Sequence, residues 1–153
     1  MVNIRQKGAA AERDICIRLN DTIMRAMKDS GMYADAEVYA HKNTVQRNQN
    51  QTAVGGGDLT NTLGLSVEIK RQEVLAINTW WKQTTAAAER NDETPVLIYR
   101  QSKQKWRAIS LALLPLQDDT AVEVRVEFEF EDFLNWFYQR ARVHIAEGRI
   151  FRK

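Results

Sequence analysis

The sequence predicts an α/β fold, a central mixed β-sheet flanked by helices with a strand–helix extension at the C-terminus. Three observations carry this expectation. Helical apolar spacing runs through residues 6–29 and again through 131–147, and period-two alternation runs through 122–130. Between them the glycine-rich stretch Gly55-Gly56-Gly57-Asp58 leads into Val67-Glu68-Ile69-Lys70, which brings two acids and a base together.

Residues 6–29 place Ile15, Leu19, Ile23 and Met27 four apart, and Ala9 to Ala11 favour a helix that Ser30-Gly31 ends. Glu12 falls near its start, where the helix macrodipole favours an acid, and Lys7, Arg13 and Arg25 occupy the polar side. Residues 37–42 alternate well enough for a strand with Val38 and Ala40 inward. His41 has no partner at ligand spacing and reads as a surface residue. Residues 43–52 are polar, with Arg47 followed by a run of amides, and read as a solvated strand or flexible arm.

Residues 58–70 read as a hairpin. With Thr62-Leu63-Gly64 as a three-residue loop and Gly64 left-handed, Thr60 pairs with Ser66 and Asp58 falls opposite Glu68. Opposed side chains in a strand pair lie about 5 Å apart at Cβ, and like charges there are destabilising unless something offsets them. Lys70 shares the face of Glu68, while Val67 and Ile69 take the other. Paired carboxylates beside water suit hard ions such as Mg²⁺ or Mn²⁺, which activate water and stabilise charge on a phosphoryl oxygen. Lys70 then supplies a point charge for the same chemistry. A solvated surface ladder would satisfy the same spacing.

Further along, Asn78 or Thr79 can cap a helix running to about Asp92, with Thr84 to Ala88 at its centre. Trp80 and Trp81 cannot both face one way on it, so one belongs to the core. Pro95 to Tyr99 and Lys105 to Leu113 read as strands joined by the polar turn Gln101 to Gln104. Val122, Val124, Val126, Phe128 and Phe130 alternate with charged residues, which predicts a half-buried strand with an acidic outer face. Glu131 to Glu147 reads as an amphipathic helix with Phe133, Leu134, Phe137, Tyr138 and Ala141 in one stripe, ended by Gly148. That stripe is a core face or a dimer face, and His144 with Glu147 lacks a third ligand for zinc.

The 153 residues suit one domain over 1–153, with a core at about 5–112 and a strand and helix at about 118–150. Cys16 is the sole cysteine, which excludes an internal disulfide framework and fits a reducing, cytoplasmic setting. No apolar run approaches the roughly 20 residues a membrane span needs. The formal charge of +2 is unevenly placed: residues 118–132 carry −6, leaving +8 elsewhere, which permits a basic face. Gly55-Gly56-Gly57 lacks the Gly-Lys-Ser/Thr ending of a P-loop, and no serine or cysteine nucleophile constellation is present.

Gly57-Asp58 and Val67-Glu68-Ile69-Lys70, with Gly8-Ala9-Ala10-Ala11-Glu12-Arg13-Asp14 upstream and Trp80-Trp81-Lys82-Gln83 downstream, resemble the PD-(D/E)XK nuclease superfamily. Within it the order of motifs is similar to archaeal-type Holliday junction resolvases over residues 5–112, although the first acid follows glycine instead of proline. The resemblance implies a restriction-endonuclease-like core and a Mg²⁺-dependent endodeoxyribonuclease of DNA recombination and repair, with Mn²⁺ as substitute. It implies that Asp58, Glu68 and the Ile69 carbonyl hold the ion, that Lys70 orients the attacking water, and that Glu12 reaches the site from the first helix.

Gln83 would support the site by hydrogen bonding, or is simply an exposed helical amide. Lys7, Arg13, Lys42, Arg47, Arg71 and Lys82 are candidate phosphate contacts, and the 43–52 arm would lie along DNA backbone. The implied partners are a four-way junction and a second subunit, because two symmetric cuts call for a two-fold dimer. Enzymes of this type often belong to phages or mobile elements. A nuclease acting on linear or damaged DNA, and a non-cutting DNA-binding module of the same fold, are the alternatives.

Overall fold

The computed structural model describes residues 4–42, 44–49 and 57–150. Helix α1 (Ile4–Asp29) buries Ala11, Ile15, Leu19, Ile23, Ala26 and Met27, the stripe that the three- and four-residue spacing requires. It stops where Gly31 turns left-handed and the Met32 N–H reaches back to the Met27 carbonyl.

Helix α2 (Tyr33–Lys42) comes next, so the strand expected over 37–42 is wrong. Tyr33, Ala36 and Tyr39 recur every three residues, and Ala36 and Tyr39 go inward while Val38 and Ala40 stay exposed. The alanines favour helix, and packing against α1 decides the matter. Asn20 on α1 ties this region together: its amide donates to the Val45 carbonyl, and its carbonyl accepts from the Val45 N–H and the Tyr39 hydroxyl. Strands β1 (Gln46–Arg47) and β2 (Leu59–Thr60) then pair antiparallel as a small separate sheet. Of the expected 43–52 arm, residues 43 and 50–52 lie outside the described residues, and the part described includes a strand.

The main sheet comprises β3 (Leu65–Arg71), β4 (Thr94–Arg100), β5 (Arg107–Pro115) and β6 (Ala121–Glu129), in that spatial order. Helix α3 (Ile77–Asn91) links β3 to β4, which run parallel, and the two remaining pairs are antiparallel. The sheet is therefore mixed, as expected. Helix α3 begins at Ile77 after Ala76 without a side-chain cap, so Asn78 and Thr79 lie inside it; Asn78 instead accepts a hydrogen bond from Arg125.

Strand β4 is buried on both faces, which explains its unbroken apolar run Val96-Leu97-Ile98-Tyr99. Val96 and Ile98 join Leu65, Val67 and Ile69 against α1 and helix α4 (Phe130–Ala146), whose Phe133, Phe137 and Ala141 are fully buried. The terminal stripe is thus core. On the opposite face Leu97, Tyr99 and Ile109 pack under Trp80 of α3, with Trp81 at the margin. The β4–β5 ladder ends at Leu97–Ile109, near Pro95, which has no N–H to give. Beyond it β5 and β6 continue as a two-stranded ribbon on which Leu113, Leu114 and Val122 are exposed, so the half-burial expected of β6 holds only at its inner end.

Candidate active site

Strand β3 is an edge of the main sheet, and the segment ending in β2 lies along that open edge. The turn between them has Asn61, Leu63 and Gly64 at positive φ, and the Thr62 hydroxyl and carbonyl close it onto Leu65. Arg140 of α4 fixes it from outside, its guanidinium donating to the Leu63 carbonyl at 2.5 and 3.2 Å. Gly64 is left-handed as expected, but left-handed backbone at Asn61 and Leu63 as well alters the register of the two flanking segments.

The Asp58 N–H donates to the Val67 carbonyl at 2.7 Å, so Asp58 lies across from Val67 and not Glu68, and β2 ladders with β1 in place of β3. The expected Asp58–Glu68 strand pair is therefore corrected by one position. Two features keep the acids together despite the shift. Gly57 approaches so closely that a Cβ on it would sit 2.6 Å from the Val67 oxygen, and the Asp58 carboxylate accepts the Ile69 N–H at 2.7 Å. Asp58 thus takes a hydrogen-bond position that another strand would otherwise fill. The Ile69 carbonyl leaves the strand on the same side as its N–H, toward Asp58.

Asp58 is 7 % exposed, a low value for an acid. Burial pushes the Glu68 carboxyl up to about 8, reinforced by the charge of Asp58 and a hydrogen bond to it, and opposed by Lys70. Glu12 adds its own repulsion to Glu68. Its carboxyl is also raised, by burial above all and by Asp58, against the pull of Arg47, whose Nε–H donates to it at 2.6 Å. Among the described residues the Lys70 ammonium makes no hydrogen bond or ion pair, and it meets Glu68 through its charge.

Glu12, Asp58, Ile69 and Lys70 line a cleft of about 490 Å³ together with Lys7, Gly8, Arg71 and the 72–74 turn; Glu68, against Asp58, is not one of its lining residues. Among the described residues no three His, Cys, Asp or Glu side chains are grouped as a metal cage. The donor set is narrower: two carboxylates at hydrogen-bond range and the Ile69 carbonyl, with Glu12 held by Arg47. That set fits a hard divalent cation, because a buried acid pair forced to keep a proton gains most from a positive charge between its members.

The structure thus brings together Glu12, Asp58, Glu68, Ile69 and Lys70, with Lys7 and Arg71 on the rim. Lys7 is bonded to Glu73 at 3.2 Å. Gln83 is not brought in: it is exposed on α3, absent from the cleft wall and without a hydrogen bond to a described residue. Arg13 and Arg47 line a separate groove beside α1, and Lys42 and Lys82 are exposed on α2 and α3. Sequence reasoning passed over Arg100, Lys103, Lys105 and Arg107, which line a second groove next to β4; their signal was four cations in eight residues with no acid.

Among the described residues, no helix is long and apolar enough to cross a membrane. No curated protein matches the chain at a significant level. Among solved structures it is similar to Hjc, a Holliday junction resolvase from the archaeal hyperthermophile Archaeoglobus fulgidus, at 13 % identity, over 61 % of this chain and 85 % of that one, with a TM-score of 0.38. The family described as "Phage putative PDDEXK endonuclease" matches residues 3–133. That span takes in the whole cleft from Lys7 to Val74, and the chain belongs to this family of PDDEXK endonucleases.

Proposed function

We propose that this nuclease hydrolyses DNA phosphodiester bonds with Mg²⁺, for which Mn²⁺ substitutes, and that its substrate is a four-way junction cut by a homodimer. The observation that carries the metal-dependent reading is the Asp58–Glu68 pair, two acids at hydrogen-bond range with Asp58 buried and fixed by the Ile69 N–H, so that each disfavours the charge of the other. Asp58, Glu68 and the Ile69 carbonyl would hold the cation, which when bound supplies Lewis-acid stabilisation of phosphoryl charge and activation of water.

The chain's own groups do the rest. Lys70 stands beside Glu68 with its ammonium uncommitted among the described residues, placed to orient the attacking water and to offset charge developing on the phosphoryl oxygens. Glu12, held by Arg47, keeps a second acid on the Asp58 side of the cleft. Asp58 is locked by the Ile69 N–H, so one acid of the pair does not reorganise. Gln83 would need to turn in from α3 to take part.

The junction reading rests on the order of the motifs from Glu12 to Gln83, and the homodimer on the symmetry of two cuts. The test compares a synthetic four-way junction with linear duplex of the same sequence, at one salt concentration, with Mg²⁺. Preferential paired nicking of the junction is expected. Equal cutting removes the junction assignment, and absence of cutting with either Mg²⁺ or Mn²⁺ removes the enzymatic reading in favour of a DNA-binding module.

A further inference from the structure

Arg71 and Arg100 stand side by side at the C-terminal ends of the parallel strands β3 and β4, where they are register partners. Alternation past Ile69 and Ile98, both in the core against α1, points the two side chains to the α1 side. Neighbouring strands are about 4.8 Å apart, and like charges directly opposite each other are destabilising. No described residue relieves this pair with an ion pair of its own.

The Nε–H of each is buried without an acceptor among the described residues. The acids that act on them by charge are bonded elsewhere: Glu73, which meets Arg71, is bonded by Lys7 and Ser102, and Asp14, which meets Arg100, accepts the Trp106 indole N–H at 3.3 Å. Burial, and then the charge of Arg71, hold the Arg100 guanidinium below its ordinary value, with Asp14 pulling the other way. Trp106 lies under Arg100, 4.9 Å from its ring centre, and orients it.

The location gives the pair a use. Arg71 is on the wall of the catalytic cleft next to Lys70. Arg100 is on the wall of the adjoining groove of about 470 Å³, with Lys103, Lys105 and Arg107 and with no acid among its lining residues. Paired guanidiniums whose neighbouring carboxylates are bonded elsewhere keep donors for a phosphate, which they bind through several charge-assisted hydrogen bonds.

We propose that Arg71 and Arg100 jointly bind one DNA phosphate, and that the strand leaves the cleft across them into the groove of Lys103 and Lys105. This deepens the nuclease reading and rests on it. The test is a binding measurement without divalent metal, so that no cutting occurs. It uses duplexes that each carry one neutral methylphosphonate, with wild type, Arg100→Gln and Arg71→Gln. In the wild type one position should weaken binding about tenfold, the loss of a charged hydrogen bond. In either variant the unmodified duplex should bind about tenfold more weakly, and that same methylphosphonate should then cost less than about twofold.

Losses that simply add in wild type and variants overturn the proposal, as does a melting temperature lower by more than about 5 °C in both variants, which would mark the pair as structural. Duplexes ending in 5′-phosphate or 5′-hydroxyl separate an internal diester from a strand end as the bound phosphate. If the wild type binds in this way but never cuts in Mg²⁺, the nuclease reading fails and the phosphate site stands; if it cuts but shows no such position, the reverse holds.

Discussion

Mg²⁺ binding should expel a proton from Glu68. Its carboxyl is raised from 4.5 to about 8 by burial and by the charge of Asp58, so it is mostly protonated at pH 7 and mostly ionised at pH 9. A cation between the two acids displaces the proton. The assay is calorimetric titration with MgCl₂ in buffers of different ionisation enthalpy, whose slope gives protons released per ion. Close to one proton per ion is expected at pH 7, far less at pH 9, and near zero at both for Glu68→Gln.

The same shift has a stability consequence. A carboxyl whose folded value is raised contributes stability that is full below its unfolded value and is lost as pH climbs through the folded one. Between pH 4.5 and about 8 the metal-free protein should therefore lose stability steadily, which denaturant unfolding at a series of pH values measures. Asp58→Asn should flatten that slope by removing the repelling charge. Binding of Mg²⁺ at pH 7 with no proton release, or with equal release at pH 7 and pH 9, would refute the reasoning.

Other outcomes rest on the same geometry. Asp58→Asn and Glu68→Gln should each abolish cleavage in Mg²⁺ while DNA binding survives, measured by gel shift beside a nicking assay; wild-type cutting by either removes the catalytic assignment. Gly57→Ala forces a Cβ to 2.6 Å from the Val67 oxygen and should cost about 1–3 kcal/mol in denaturant unfolding along with most activity, whereas Gly8→Ala, with nothing within 4 Å, should gain about 0.5–1 kcal/mol. Arg47→Gln removes a hydrogen bond that lowers the Glu12 carboxyl, so Glu12 should titrate higher and the acid limb of the pH–rate profile should move to higher pH; an unmoved limb separates Glu12 from catalysis. Trp80→Ala, on the buried face of α3 against Tyr99 and Leu97, should lose about 3–5 kcal/mol in thermal or urea unfolding.

Much of the candidate site was legible because its residues lie in short spacings. Asp58, Glu68 and Lys70 announce themselves as acid, acid and base, and the apolar run of β4 shows a strand buried on both sides. The register was not legible. It depends on Asn61 and Leu63 adopting left-handed backbone, which neither residue's identity demands, and on Gly57 packing against Val67. Helix α2 was misread because residues 37–42 alternate by chance, while the three-residue recurrence of Tyr33, Ala36 and Tyr39 begins upstream of that window.

Long-range placement was least accessible. Arg71 and Arg100 meet only because β3 and β4 run parallel in one particular register, and Glu12 meets Arg47 only because β1 folds back toward α1. The polar turn after β4 was read as a connector, yet its Lys103 and Lys105 help to form a groove. Arg13, Lys42 and Lys82, read as phosphate contacts from their charge, lie away from the cleft.

The most direct measurement is anomalous diffraction from crystals soaked in MnCl₂. The account predicts one manganese peak within about 2.3 Å of a carboxylate oxygen of both Asp58 and Glu68, with the Ile69 carbonyl completing the protein ligands. Manganese bound elsewhere, or no peak while the two acids stay within hydrogen-bond range of each other, would rule this out.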